Sequence, residues 1–141
     1  MAGIALTTRV VWLAAAAALA GCQSRVDRVA VYGAVDYAGE PVADGQIAFE
    51  PKSVGKMEFA PITDGRYELP AEFGLVPGEY LVRIIGNRPT GKQAASDSFL
   101  QNADSLDIID QYIPLKYNTG SQLTVEIPQE RRVERNFSLD P

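Results

Sequence analysis

The chain has 141 residues, with 13 Lys+Arg against 18 Asp+Glu, one cysteine and no histidine. That length supports a single domain, and a net charge of −5 with scattered cations makes it a poor binder of nucleic acid. The absence of histidine excludes Ser-His-Asp and Cys-His nucleophile arrangements, together with the imidazole ligands that zinc, copper and non-haem iron sites draw on.

The first element is apolar. Val10 to Ala20 carries no polar side chain, follows Arg9 and is roughly half the ~20 residues that a membrane-spanning helix needs. It reads as the apolar region of a secretory signal. The residues that close it, Leu19-Ala20-Gly21-Cys22, resemble the lipobox of bacterial lipoproteins at every position. That resemblance implies cleavage before Cys22, a thioether-linked lipid on its sulfur and acylation, for instance by palmitate, of the new amine. Two or more acyl chains anchor a protein stably where one does so only marginally. Residues 1–21 are therefore expected to be a lipoprotein signal peptide, residues 22–27 a lipidated tether, and residues 28–141 the folded domain. The alternatives are an ordinary signal peptide that happens to end near a cysteine, or a buried free thiol at Cys22. Removing 21 residues from 141 leaves 120, carrying 12 basic and 18 acidic side chains because Arg9 is the leader's only charged side chain. Gln23 stands where an aspartate would resemble an inner-membrane retention signal, so the expected location is the cell envelope at the outer membrane.

After the tether the chain alternates with period 2, the signature of half-buried strands. Val29, Val31, Gly33 and Val35 share one face of a first strand. A turn-rich stretch leads to a second strand with Ile47 and Phe49 inward, ended by Pro51. Met57 and Phe59 alternate with Lys56 and Glu58 in a third strand, which places the two apolar residues inward. Asp64-Gly65 is a tight-turn signal, and Tyr67 and Leu69 follow on one face of a fourth strand. After Pro77-Gly78, a fifth strand has Tyr80, Val82 and Ile84 inward and Arg83 outward. An alanine at Ile84 is therefore expected to destabilise strongly, and a glutamine at Arg83 hardly at all. Leu123, Val125 and Ile127 mark a sixth strand. Val133, Phe137 and Leu139 mark a seventh, which Arg135 interrupts.

Seven short strands separated by Gly, Pro and Asp turns suit an antiparallel β-sandwich. One stretch breaks the rhythm. Residues 87–118 are too long and polar for a hairpin loop. They are expected to form an irregular or partly helical insert, with Phe99, Leu100, Leu106, Ile108 and Ile109 docking a helical turn on the sandwich. No second domain and no internal repeat is evident.

Three segments carry a further likeness: "GAVDYAGEPVADGQIAFEP" from Gly33, "ITDGRYEL" from Ile62 and "GLVPGEYLVRI" from Gly74. Together they resemble the carboxypeptidase-regulatory-like domain, apart from one spacer residue missing between Asp64 and Gly65. The resemblance implies an all-β, transthyretin-like, seven-stranded Greek-key sandwich. The tail "IPLKYNTGSQLTVEI" is similar to that of small planctomycete-type lipoproteins with this domain. Such domains act as adhesive, stabilising or ligand-binding modules, so the likeness is informative about fold and nearly silent on function. The histidines of its catalytic members have no counterpart here.

Candidate sites are few, and no catalytic, cofactor-binding or metal residue is assigned; Cys22 is the one assigned site, for lipidation. Asp97, Asp104, Asp107 and Asp110 would suit calcium by ligand type, but their spacing does not match a calcium-binding loop, and a solvated acidic segment is the alternative. Tyr32, Tyr37, Tyr112 and Tyr117 would suit stacking on sugars, although tyrosine also fits sheet surfaces for packing reasons alone. Tyr67 and Tyr80 read as core or corner residues. No carboxylate pair is marked as facing another across a cleft, as glycoside hydrolysis needs. "GNRPTGK" lacks the spacing of a phosphate loop. The functional expectation is a lipid-anchored, non-catalytic interaction or structural module that needs no cofactor. Its partners would be the membrane, through Cys22, and an envelope protein or glycan. The alternative is a carbohydrate- or calcium-binding accessory module of an envelope enzyme or transporter.

Overall fold

The computed structural model describes residues 27–93 and 107–141. Cys22 and the leader lie outside the described residues, as do Asp97, Phe99, Leu100, Asp104 and Leu106. The fold is all-β and sandwich-like, a sheet that curls over on itself. All seven expected strands are present: β1 (Ala30–Tyr37), β3 (Asp44–Pro51), β4 (Glu58–Thr63), β5 (Arg66–Leu69), β6 (Gly78–Gln93), β8 (Thr124–Ile127), and a last one broken into β9 (Arg132–Glu134) and β10 (Phe137–Leu139). Two short strands join them, β2 (Glu40–Pro41) and β7 (Asp107–Gln111). The path runs β10-β1-β5-β4-β3-β6-β7, with β2 and β9 on β1 and β8 on β6.

The curl has a local cause. β4 and β5 are paired only at Thr63 and Arg66, across a two-residue turn. Asp64 and Gly65 take φ of 50° and 73°, the left-handed pair that a primed hairpin turn requires. Beyond that corner the strands diverge and the inward faces of the two halves meet. Phe49 on β3 stands 5.9 Å from Tyr67 on β5, and Tyr67 stands 6.3 Å from Phe137 on β10. Val31, Val35, Ile47, Ile62, Val82 and Ile84 fill the same core, each essentially inaccessible to solvent. Both buried tyrosines satisfy their hydroxyls on backbone: Tyr67 donates to the Arg135 carbonyl at 2.7 Å and Tyr80 to the Val76 carbonyl at 2.8 Å. Among the described residues no buried side-chain polar atom lacks a partner.

Three expectations need correction. Phe59 does not face the core; it is 52% exposed, and Ala60 and Ile62 take the inward positions of β4. Pairing of Ile47 with Ala60 and Gly45 with Ile62 fixes that register. Ile108 and Ile109 do not dock on the sandwich as part of a helical turn. They are exposed on β7, which pairs with a long extension of β6 through Asn87–Gln111, Arg88–Asp110 and Pro89–Ile109. Among the described residues of the insert, the helical part is a 3-10 turn at Leu115–Tyr117.

Arg83 is the third. It faces outward as expected, yet it is not idle. Its guanidinium donates twice to one Glu50 oxygen, at 2.7 and 3.0 Å, and to the Asn118 and Thr119 carbonyls at 2.9 and 3.3 Å. These bonds pin the 118–119 turn onto the outer face of β6. Arg83→Gln is therefore expected to lower the urea midpoint by an amount worth about 1–2 kcal/mol, because charge-assisted bonds are lost and a glutamine is too short to replace them. A midpoint within about 0.5 kcal/mol of wild type would show the pairing to be idle.

Candidate functional site

The sandwich has two dissimilar ends. The N-terminal end of β1 lies beside the loops 52–57, 70–77 and 128–131. The other end carries the β1–β2 turn, the start of β3 and the β6–β7 arm. Along β1 the inward face continues past Val35 to Tyr37, and along β6 it continues past Ile84 and Gly86 to Arg88. Where the core ends, these side chains line a groove of about 440 Å³.

Tyr112, which follows β7, forms its back wall. Its amide donates to the Gly86 carbonyl at 3.0 Å, and its ring meets Tyr37 edge-on, with centroids 5.8 Å apart and planes 63° apart. The Arg88 guanidinium lies over the Tyr112 ring at 5.1 Å and reaches Asp110 at 3.2 Å. Asn87 donates to Asp44 at 3.3 Å on the opposite rim. Pro41 and Ala43 complete the wall, and the β1–β2 turn holds Ala38 at φ 54° and Gly39 at 81°. Burial pushes the Tyr112 phenol above its ordinary 10; Arg88 opposes the rise, while Glu40 and Asp44 reinforce it. The hydroxyl is thus a neutral donor and acceptor at physiological pH. The groove offers aromatic edges, one cation and a carboxylate–amide rim, a set suited to hydrogen bonding with a polar ligand.

Of the four tyrosines singled out from the sequence, the fold brings together two. Tyr32 lies on the outer face of β1 under Arg132, whose guanidinium is 4.0 Å from its ring. Tyr117 accepts a hydrogen bond from the Asp140 amide at 2.9 Å. Neither reaches the groove. Asp107 and Asp110 are exposed on β7, and Asp110 is paired with Arg88. Among the described residues no three or more carboxylates or thiols stand close enough to hold a metal ion. The segment "GNRPTGK" lies within β6, in strand backbone irregular at Gly91 rather than ahead of a helix. Sequence reasoning missed Arg88, Asn87 and Asp44. The signal was the period-2 pattern itself, which carries Arg88 on the same face as Tyr80, Val82 and Ile84.

No protein-family model matches the chain, and neither does any curated protein. Among solved structures, a 9R-lipoxygenase from Cyanothece PCC8801 is similar over 82% of this chain, at 12% identity and a TM-score of 0.37. The chain spans about 16% of that protein's length. A likeness this distant carries no inference about activity.

Proposed function

We propose that the chain is a bacterial lipoprotein, held at the cell envelope through lipid on Cys22, whose transthyretin-like sandwich acts as a non-catalytic interaction module. The observation that carries the reading is the placement of the groove. The described chain begins at one end of the sandwich, and Tyr37, Tyr112 and Arg88 gather at the other. A domain tethered through Cys22 then offers that groove away from the bilayer, toward partners in the envelope. The groove's polar groups are engaged with one another, Arg88 with Asp110 and Asn87 with Asp44, which suits recognition better than acid–base chemistry. Cys22→Ser is expected to leave an uncleaved precursor that takes up no labelled palmitate. Equal labelling of variant and wild type would overturn the anchor.

The glycan reading has one specific support, the pairing of two tyrosines with a carboxylate, an amide and a guanidinium, groups that match sugar rings and hydroxyls. Because the rings meet at 63°, one of them at most can stack on a given sugar. Tyr112→Ala is expected to abolish retention on an immobilised envelope polysaccharide while Tyr32→Ala leaves it intact. Equal retention of both variants would remove the glycan reading and leave a protein partner.

A further inference from the structure

We infer that the end of the sandwich beside the chain's N-terminal side is a membrane-contacting surface, seated on the phospholipid headgroups by the loops 52–57 and 70–77. The inference rests on the lipid-anchor reading and adds to it that the folded domain itself touches the bilayer.

Three of the seven large apolar side chains exposed among the described residues lie at this end: Val54, fully exposed, Phe73 at 58% and Val76 at 40%. Single exposed apolar residues need no explanation, but these share one locality. Val54 and Val76 flank the same hollow of about 100 Å³, which Gly74 also lines, and Phe73 is the residue before Gly74. The loop that carries Phe73 and Val76 is held in place. Arg28 donates to the Gly74 carbonyl at 2.7 Å, Val29 and Leu75 exchange backbone hydrogen bonds at 2.7 and 3.0 Å, and the Tyr80 hydroxyl binds the Val76 carbonyl. Those two tips are therefore set before any surface arrives, so little ordering cost remains on contact for them.

Chain length selects the occupant. Arg28, bonded to this loop, is six residues after Cys22, so at most about 20 Å of fully extended chain separates the loop from the lipidated sulfur. No other end of the sandwich is tied so directly to the anchor. Charge selects the headgroup. Arg28 pairs with Glu58 and Lys52 with Glu79, while Asp27, Glu72 and Glu130 stand around Arg131 in the adjoining hollow. Lys56 lines the same hollow, but Asp27, Glu58, Glu72, Glu79 and Glu130 still outnumber Arg28, Lys52, Lys56 and Arg131, so this end has no excess positive charge to demand anionic lipid, and a zwitterionic surface suffices.

The chain supplies its own optical background for a test. Its single tryptophan, Trp12, lies in the leader and is lost on cleavage before Cys22, so an introduced tryptophan is the sole indole of the mature protein. The full chain would be produced with Phe73→Trp, Val54→Trp or, as a far-end control, Ile109→Trp. Each lipidated product would be reconstituted into phosphatidylcholine vesicles with brominated acyl chains and floated on a density gradient. All three are expected to float. Emission from the tryptophans at 73 and 54 should shift to the blue and be strongly quenched, while that at 109 should match the detergent-free protein in buffer. Flotation with all three emissions unquenched would overturn the membrane-facing surface and leave the anchor standing. Equal quenching at all three positions would also overturn it, since the domain would then lie on the bilayer without preference. Failure of wild type to float would overturn the anchor and the inference together.

Discussion

Phe49→Ala is expected to destabilise the domain by about 3–5 kcal/mol, whereas the same change at Phe59 should cost no more than about 1 kcal/mol. Phe49 is wholly buried, between Tyr67 at 5.9 Å and Tyr80 at 6.5 Å, where the two halves of the sheet meet. Removing its ring forfeits the transfer of a large apolar surface and leaves a cavity that three strands would have to collapse to fill. Phe59 lies on the opposite face, half in solvent, in a shallow apolar hollow of about 200 Å³ with Met57, Ala48 and Ile85. Against a total stability of about 5–15 kcal/mol, the first change should move the urea midpoint far with an unchanged slope, and the second only slightly. Equal losses at both positions would mean that β4 is shifted by one residue, with Phe59 inward.

That contrast also marks how far the sequence could be read. The period-2 pattern places six of the seven expected strands with the correct face inward, because each has a run of apolar residues at alternate positions. The third strand misleads, since Met57 and Phe59 are larger and more apolar than Ala60, and Pro61 interrupts the pattern. The information to correct it was nearby. A two-residue turn at Asp64-Gly65 sets Thr63 opposite Arg66, so an outward Arg66 forces Thr63 outward and Ile62 and Ala60 inward. Turn geometry outranks side-chain size here.

The strand arm within the insert was missed for a different reason. Arg88 to Lys92 and Asp107 to Gln111 are exposed, so they carry no alternation to betray a strand; they pair through backbone, with the Arg88–Asp110 ion pair and the Thr90 hydroxyl on the Ile108 carbonyl beside it. The groove was half legible. Tyr37 and Tyr112 are visible as tyrosines, but their meeting depends on where the chain returns after the arm, which local pattern does not encode. The role of Arg83 was likewise hidden, because its carbonyl partners are more than thirty residues away.

Gly33→Ala should be as damaging as the loss of a core aromatic ring, although it adds only one methyl group. Gly33 sits in the middle of β1, where the chain between β9 and β10 crosses directly over it. A Cβ built there would stand 1.8 Å from the Arg135 carbonyl oxygen and 2.6 Å from its carbon, both backbone atoms with no rotamer to change. The crossing is held by three hydrogen bonds. The Arg135 amide donates to the Tyr32 carbonyl at 2.8 Å, the Ala34 amide to the Asn136 side-chain oxygen at 2.8 Å, and the Tyr67 hydroxyl to the Arg135 carbonyl. Lifting the crossing clear of a methyl group breaks all three and strands the buried Tyr67 hydroxyl. At about 1 kcal/mol net per bond, plus about 1–3 kcal/mol for the unpaired hydroxyl, the expected loss is roughly 4–6 kcal/mol. Tyr67→Phe, which removes one of the three bonds and no backbone, should cost only about 1 kcal/mol. The damage should also be local in its first stage. β9 and β10 pair in parallel with β1 alone, so they are the strands freed when the crossing lifts, and Val133 and Phe137 leave the core with them. Hydrogen exchange on Gly33→Ala should show protection lost first over residues 132–139, with β3 and β6 retaining theirs longest. A variant as stable as wild type would mean that the last two strands do not pass over Gly33, and the closure of the sandwich along that edge would have to be redrawn.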